Sequence, residues 1–447
     1  MGETASDERE RGAEVTAESR GYFALLRENR DFRQLWLGQV VSQLGDWFNT
    51  IALFTLVLRL TGSGRAVGLV LVARFLPSVV LGPLSGVLAD RFNRRHIMIA
   101  SDVARALVVL GFLFIRSPEQ VWLVYLPTVL QLGFSAFFEP ARSAALPSVV
   151  APRDLVTANA ISAVTWSAML TLGAAVGGPV TDWFGTDAAF VIDSLTYLLS
   201  AALVWSVRLP RREPRPKTRL TLAKALGVTD TLEGLRYVRR RPRVMALLLV
   251  KSAWGLGGGI LTLLPVFGEK IFRLSLGAGV GGAALGMSVL YAARGVGTAI
   301  GSVLMRRFYG ETREQMQRTI GVSFVFAGAF YVLFGVAESF PLALLWLAVA
   351  HMGGSVLWVF STVLLQTAVE DDFRGRVFAA ELMLMTLAMA ASNYATGEAL
   401  DRFQISPRAV TVAIGLFFVL PGVLWLLTRR RWDRERNDGD LRMKPEG

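Results

Sequence analysis

The chain has 447 residues, 53% of them hydrophobic and only 18% charged, and it carries a net charge of +12 with no cysteine and two histidines. That balance excludes an ordinary soluble domain of this length. The absent cysteine excludes disulfides and thiolate metal sites, and two imidazoles leave a histidine metal cluster or a catalytic triad little to draw on, so no metal, cofactor or catalytic residue is expected.

In chain order, residues 1–33 open with MGETASDERE, which lacks the apolar core of a signal peptide and reads as a cytoplasmic tail. A bilayer core requires about 20 mostly apolar residues per helix. Twelve such runs follow, near 34–59, 66–88, 97–116, 121–145, 156–181, 188–207, 244–268, 280–304, 318–336, 341–367, 377–400 and 409–428. The longest interruption, 208–243, separates six spans (34–207) from six more (244–428), and 429–447 form a basic tail. The linker begins with the proline-punctuated RLPRREPRPKTRL and continues through 230–241, where Leu232, Leu235, Tyr237 and Val238 predict an amphipathic helix lying on the inner leaflet.

Alternate loops hold the arginines: RFNRR, APRD, YVRRRPR, RRFYGETREQMQR and DDFRGR, whereas RSPEQ, FGTD and AES are poorer in them. The positive-inside rule then puts both termini of a multi-pass membrane protein in the cytoplasm. The positive charge reads as topology and lipid-headgroup anchoring, not as nucleic-acid binding. The halves also align, with Gly86 over Gly301, Asp90 over Met305, and LPSVVAPRDL (146–155) over LQTAVEDDFR (365–374). A repeated six-span unit predicts an all-α membrane protein of twelve helices in two six-helix bundles, with a site between them near mid-membrane.

Between spans 2 and 3 the chain reads Gly86-Val-Leu-Ala-Asp90-Arg91-Phe-Asn-Arg94-Arg95, which resembles the G-x-x-x-D-R-x-G-R-R/K signature of the major facilitator superfamily. Further stretches are similar to the drug:proton antiporter branch that contains macrolide-efflux proteins and the enterobactin exporter. They include QVVSQLGDWFNTIAL in span 1, FFEPARSAALPSVV at span 4, EGLRYVRRRP in the linker and DDFRGRVFAA before span 11. The resemblance implies a two-bundle transporter working by alternating access. It also implies a cytoplasmic gate, in which Asp90 accepts hydrogen bonds from the free amides that begin span 11. Arg94 would link that latch to Glu139, and Gly86 would let spans 2 and 11 approach. Arg91 and Arg95 complete the motif. Asn93 stands where the family has glycine and is expected to keep a left-handed turn. The competing reading is that these charges only stop the helix and fix topology.

Ionisable groups within a bilayer are functional candidates by default. Asp46 lies roughly 18 Å into span 1 and Arg74 roughly 12 Å into span 2 from the other side, at one depth in a core about 30 Å thick. They are expected to pair, either as static glue or as a proton-coupled switch. Asp193 and Glu381 read as structural, and Lys251 as snorkelling to the inner surface. Arg294 has no obvious acid at its depth, which suggests a wet cavity or an anionic group on the substrate. His351, Trp166, Trp254 and Trp358 are candidates for the lining of that central cavity, with a packed, hydrogen-bonded histidine the alternative for His351. Gly173, Gly177, Gly178 and Pro179 resemble the glycine-proline motif of antiporters without its trailing glycine pair, which weakens antiport relative to uniport or symport.

These features predict a secondary efflux transporter, working as a monomer, that exchanges protons for a hydrophobic or amphipathic drug, macrolide or siderophore-like compound. The expected partners are that small substrate, protons and membrane lipids, with no nucleic acid. A lipid or lysophospholipid flippase of the same fold is the rival within transport, and a membrane-embedded sensor or enzyme the rival outside it. No G-x-x-x-x-G-K-S/T loop is present to couple ATP.

Overall fold

Among the residues that the computed structural model describes, 21–209, 228–274, 283–308 and 312–442, eleven apolar helical segments are long enough to cross a bilayer. One of them, Leu155–Trp205, is interrupted at Gly185, whose φ of 83° and ψ of 169° belong to a region essentially reserved for glycine. It therefore crosses twice, as span 5 (155–184) and span 6 (186–205), and the crossings number twelve.

Spans 1 to 3 are Arg30–Thr61, Gly64–Arg91 and Arg94–Val109 with a short 3-10 extension. Span 4 begins as the 3-10 helix Pro118–Val124 and continues as Tyr125–Val149. Span 7 is broken into Pro242–Gly255 and Ile260–Lys270. Spans 8 to 12 are Ala283–Phe308, Arg313–Val336, Phe340–Ala368, Asp371–Asp401 and Pro407–Arg442. The last helix thus runs well past the apolar stretch that ends at 428.

Helix ends follow local chemistry. Asn29 accepts the Phe32 amide at 2.9 Å to start span 1, Ser63 accepts the Ala66 amide at 2.9 Å to start span 2, and span 1 stops at Gly62 with φ of 60°. Span 7, which hydropathy reads as continuous, breaks at the run GLGGG (255–259). A gap in a membrane helix leaves polar backbone groups that a neighbour must satisfy. Ser392 of span 11 does so, accepting the Gly259 amide at 2.9 Å and donating to the Leu256 carbonyl at 2.5 Å.

The helices sort into two bundles of six. Span 1 packs along spans 5 and 6, and span 4 along spans 2 and 3; in the second bundle span 9 packs on spans 10 and 12, and span 7 on span 11. Two long seams join the bundles, span 2 against span 11 and span 5 against span 8. The face carrying the arginine-rich connections is called the basic face below; the other is the far face. The linker helix, Val228–Arg239, does not present its apolar side to lipid as its periodicity suggests. Val238 and Tyr237 are buried, the Tyr237 ring stacks on Phe373 at 4.3 Å, and Gly234 sits on the backbone of Arg376, so the helix packs on the start of span 11.

Candidate functional site at the bundle interface

Spans 2 and 11 are antiparallel, and at the far face the end of one meets the beginning of the other. The Asp401 carboxylate accepts hydrogen bonds from the Ser63 hydroxyl, from the Gly64 amide at 3.1 Å and from the Arg65 amide at 3.0 Å. These are the orphan donors of a helix N-terminus, where the macrodipole also favours an anion. One turn earlier on span 11, Glu398 meets Arg65 Nε at 2.8 Å. The approach needs bare backbone: a Cβ on Gly68 would strike the Asn393 carbonyl, and one on Gly397 would strike the Arg65 backbone. On the second seam, Gly178 rests on Ser288 and Gly295 on Thr171. Between the seams, Tyr291 of span 8 meets Trp47 at 5.6 Å and Phe54 at 6.4 Å from span 1. Among the described residues, these hydrogen bonds, the ion pair and the ring contacts between the bundles all lie at mid-depth or toward the far face.

Inside the first bundle a polar network surrounds Arg105 of span 3. It is ion-paired with Asp102 one turn away, and its guanidinium lies 4.7 Å from the Phe138 ring centroid and 4.3 Å from that of Tyr197. The Tyr197 hydroxyl accepts from Gln131 Nε2 at 2.9 Å and donates to Asp46 Oδ1. Asp193, one turn before Tyr197, is fully buried, and one of its oxygens has no hydrogen-bond partner. Three carboxyl groups thus surround one guanidinium in the interior of the bundle. The expected Asp46–Arg74 pair does not form: Asp46 turns its carboxylate to Tyr197, because equal depth on two helices does not fix the azimuth at which each side chain leaves its helix.

In the second bundle, Lys251 does not snorkel to the surface. Its Nζ bonds Glu381 Oε2 at 2.9 Å with both side chains buried, and it lies 4.7 Å from the Trp358 ring centroid. His351 is a packed histidine: Nδ1 bonds the Leu347 carbonyl at 3.1 Å, Nε2 faces the Tyr331 hydroxyl at 3.3 Å, and the two rings meet edge to face. Trp254 is likewise a packing residue, edge-on to Phe418 at 4.9 Å with Gly354 pressed against its indole. Trp166 and Trp358 are more open, 55% and 42% exposed. Arg294 keeps a buried Nε with no hydrogen-bond partner.

At the basic face, the side chains of Gly86, Asp90 and Arg91 lie outside the described residues. The flanking motif residues are described. Arg94 donates to the Ala144 carbonyl, and Arg95 to the Trp205 carbonyl with its guanidinium 5.1 Å from that indole centroid. Glu139 is not the partner of Arg94. It pairs with Arg142 at 3.1 Å, three residues on in the same helix, and Arg142 in turn donates to Gln39 at 2.9 Å. Asn93 is not left-handed either; at φ −65° and ψ 113° it caps span 3, accepting the Arg95 amide at 3.0 Å.

The residues that sequence reading overlooked left signals. Asp102 and Arg105 stand at i,i+3 in an otherwise apolar span. Asp401 sits in a copy of the gate motif: G-x-x-x-D-R-F occurs at 86–92, ending span 2, and again at 397–403, ending span 11.

Twelve membrane helices in two bundles, meeting along antiparallel seams around buried charges, define a membrane transporter. The profile of the Major Facilitator Superfamily matches residues 35–392, and the chain belongs to that family. It is 25% identical over 397 residues to macrolide efflux protein A of Streptococcus pyogenes, spanning 88% of this chain and 93% of that protein. To the uncharacterized MFS-type transporter YfiS of Bacillus subtilis it is 31% identical over 226 residues, spanning 50% of this chain and 53% of that one. Among solved structures, a bacterial homologue of the human lysosomal transporter Spinster, inward-facing and unoccupied, superposes with a TM-score of 0.68 at 17% identity, over 91% of this chain and 98% of that one. The POT family transporter PepTSo superposes at 0.69 with 12% identity, over 91% of this chain and 99% of that one. At these identities the likeness concerns the fold.

Proposed function

We propose that this protein is an efflux transporter of the bacterial cytoplasmic membrane that exports a hydrophobic or amphipathic small molecule in exchange for protons. Its bundles, 34–207 and 244–428, rock about the central seams, with the basic face and both termini cytoplasmic and the linker 208–243 spanning the halves. The protein acts as a monomer among membrane lipids and requires no cofactor. The observation that carries the reading is the closure of the far face. The bundles are tied together at the far face by Asp401 on the first turn of span 2. Such a contact belongs to one end state of an alternating-access cycle, the one whose cavity opens to the cytoplasm. Asp90, ending span 2 in the same motif, takes the matching role on span 11 in the opposite state. Export of a bulky drug is supported by the near full-length match to a macrolide efflux protein. Proton exchange is supported by the Asp46–Tyr197–Gln131 chain beside Asp102, Arg105 and Asp193, where several carboxyls share one cation and a proton has somewhere to go.

The test is efflux from energised membrane vesicles, with and without a pH gradient, using a labelled macrolide and, separately, a labelled lysophospholipid. Gradient-dependent movement of the macrolide that Asp46→Asn uncouples is the expected result. Movement of the lysophospholipid alone makes the protein a flippase, and Asp46→Asn efflux equal to wild type at every pH removes Asp46 from the coupling.

A further inference from the structure

Two deeply buried cations of the spans come with an acid. Arg105 has Asp102, and Lys251 has Glu381. Arg74 and Arg294 are held less closely: half-buried Arg74 has the Asp46 carboxylate only within electrostatic reach, and Arg294 has no acid beside it. Neither guanidinium donates a side-chain hydrogen bond or forms an ion pair among the described residues, and the buried Nε of Arg294 is unsatisfied. An unpaired cation at membrane depth costs several kcal/mol unless water or an anion solvates it. Arg294, with no acid beside it, and Arg74, with no ion pair, one from each bundle, require an explanation.

Their positions supply it. Spans 2 and 8 both begin at the far face, and Arg74 and Arg294 lie about 10 and 11 residues along them, roughly 15 Å and 16 Å deep at 1.5 Å per residue. Tyr291, one turn before Arg294, lies within electrostatic reach of both guanidinium groups. Its ring joins Trp47 and Phe54 across the bundle interface, so the two charges border an aromatic wall built by both halves. Planar guanidinium forks bind carboxylate and phosphate oxygens in pairs, which ammonium groups do not reproduce.

We propose that Arg74 and Arg294 form an anion-reading end of the central site, so that the compounds it accepts include amphipathic anions: an apolar or aromatic body bearing one carboxylate or phosphate group. This rests on the transport reading above and narrows its substrate. The bound anion bridges two like charges that otherwise repel across the cleft, and it thereby favours the state in which the halves approach around it.

Binding and transport are measured separately. Purified transporter in detergent is titrated with three fluorophores of one naphthalene body: the carboxylate, its methyl ester, and its dimethylaminoethyl amide. The carboxylate is expected to bind at least about tenfold more tightly than the other two, as charge-assisted hydrogen bonds require. Arg74→Gln and Arg294→Gln should each weaken the carboxylate by about ten- to a hundredfold and leave the ester unchanged, with Arg→Lys at each position retaining part of the affinity. Equal binding of the three probes overturns the proposal. So does an equal loss for all three in Gln or Lys variants that elute as monodisperse protein. Lysophosphatidylglycerol is then added as a competitor. Displacement of the carboxylate, dependent on both arginines, supports the site and names lipid as the source of the anion; failure to displace supports the site and names a soluble compound. In energised vesicles, macrolide efflux that persists while the carboxylate fails to bind overturns this inference and leaves the efflux reading standing. Arginine-dependent binding of the carboxylate with no probe transported sinks the efflux reading and leaves the anion site in place.

Discussion

Replacing Asp401 by alanine should unlock the far face. The side chain accepts from two backbone amides, at 3.1 Å and 3.0 Å, and from the Ser63 hydroxyl. Loss of an N-cap acceptor costs about 1 kcal/mol and each further hydrogen bond about another 1, while the charge on the macrodipole adds roughly 0.3–1 kcal/mol. Asp401 is half-buried, so water recovers part of this, and a net loss of about 2–3 kcal/mol is expected. That is a shift of about 30- to 150-fold in the equilibrium between closed and open far face. A far-open fraction of about one in a thousand would become about one in thirty to one in eight. The chain has no cysteine, which permits spin labels on Glu119→Cys and Glu338→Cys, exposed far-face positions in the two halves. Pulsed electron spectroscopy of that pair should show a longer distance growing in Asp401→Ala. Arg65→Gln, which loses an ion pair whose arginine is 52% exposed, is worth at most about 1 kcal/mol and should move the distribution far less. An Asp401→Ala distribution identical to wild type, or no larger a shift than in Arg65→Gln, would refute the assignment of this carboxylate as a latch.

Three further outcomes follow from the geometry. Lys251→Met alone strands Glu381 among apolar neighbours and should cost about 3–5 kcal/mol, visible as a lower unfolding temperature in detergent, whereas Lys251→Met with Glu381→Leu should recover most of it. Gly68→Val pushes a side chain into the Asn393 carbonyl, so it should hold spans 2 and 11 apart and lengthen the Glu119–Glu338 label distance without unfolding the bundles. Gly185→Ala meets no neighbouring atom but forces an L-residue to φ of 83°; a loss of about 1–3 kcal/mol, read from thermal unfolding, is expected from backbone strain alone.

Hydropathy carried the fold because each crossing needs a long apolar run and nothing in the neighbourhood can substitute for it. It could not show where a helix breaks. Span 7 reads as one run although GLGGG opens it, and the break survives because Ser392, 133 residues away, fills the vacated hydrogen bonds. Depth along a span was equally legible, and it located Asp46, Lys251, Arg294 and Glu381 inside the membrane. Azimuth was not. Neighbouring residues leave a helix about 100° apart, so a one-position error in rotation exchanges one partner for another. That is why equal depth points Asp46 to Arg74 although it bonds Tyr197, 151 residues away, and why the sequence does not join Lys251 to Glu381, 130 residues apart, although they are a pair. Arg294 was legible as an exception because the missing acid is a property of the whole stretch and not of one rotation.

The repeated G-x-x-x-D-R-F gives the antiparallel pair of spans 2 and 11 one device at each end, but the two receiving helix starts are chemically unequal. Asp401 meets Ser63-Gly64-Arg65, a hydroxyl, a bare amide and a cation. Asp90, in the matching role, would approach Glu370-Asp371-Asp372. Glu370 is held by Arg241 at 2.8 Å and Asp371 by Arg374 at 2.5 Å, but both carboxylates are exposed and their pairs neutralise them only in part. An anion entering that first turn gains the macrodipole and loses to like charge. The motif arginines Arg91, Arg94 and Arg95 bring positive charge to that face, beside acids that the Ser63-Gly64-Arg65 helix start lacks. On this reading the asymmetry biases the resting protein toward a closed far face, and a compound bound at the proposed Arg74–Arg294 site would supply the free energy that turns the preference over.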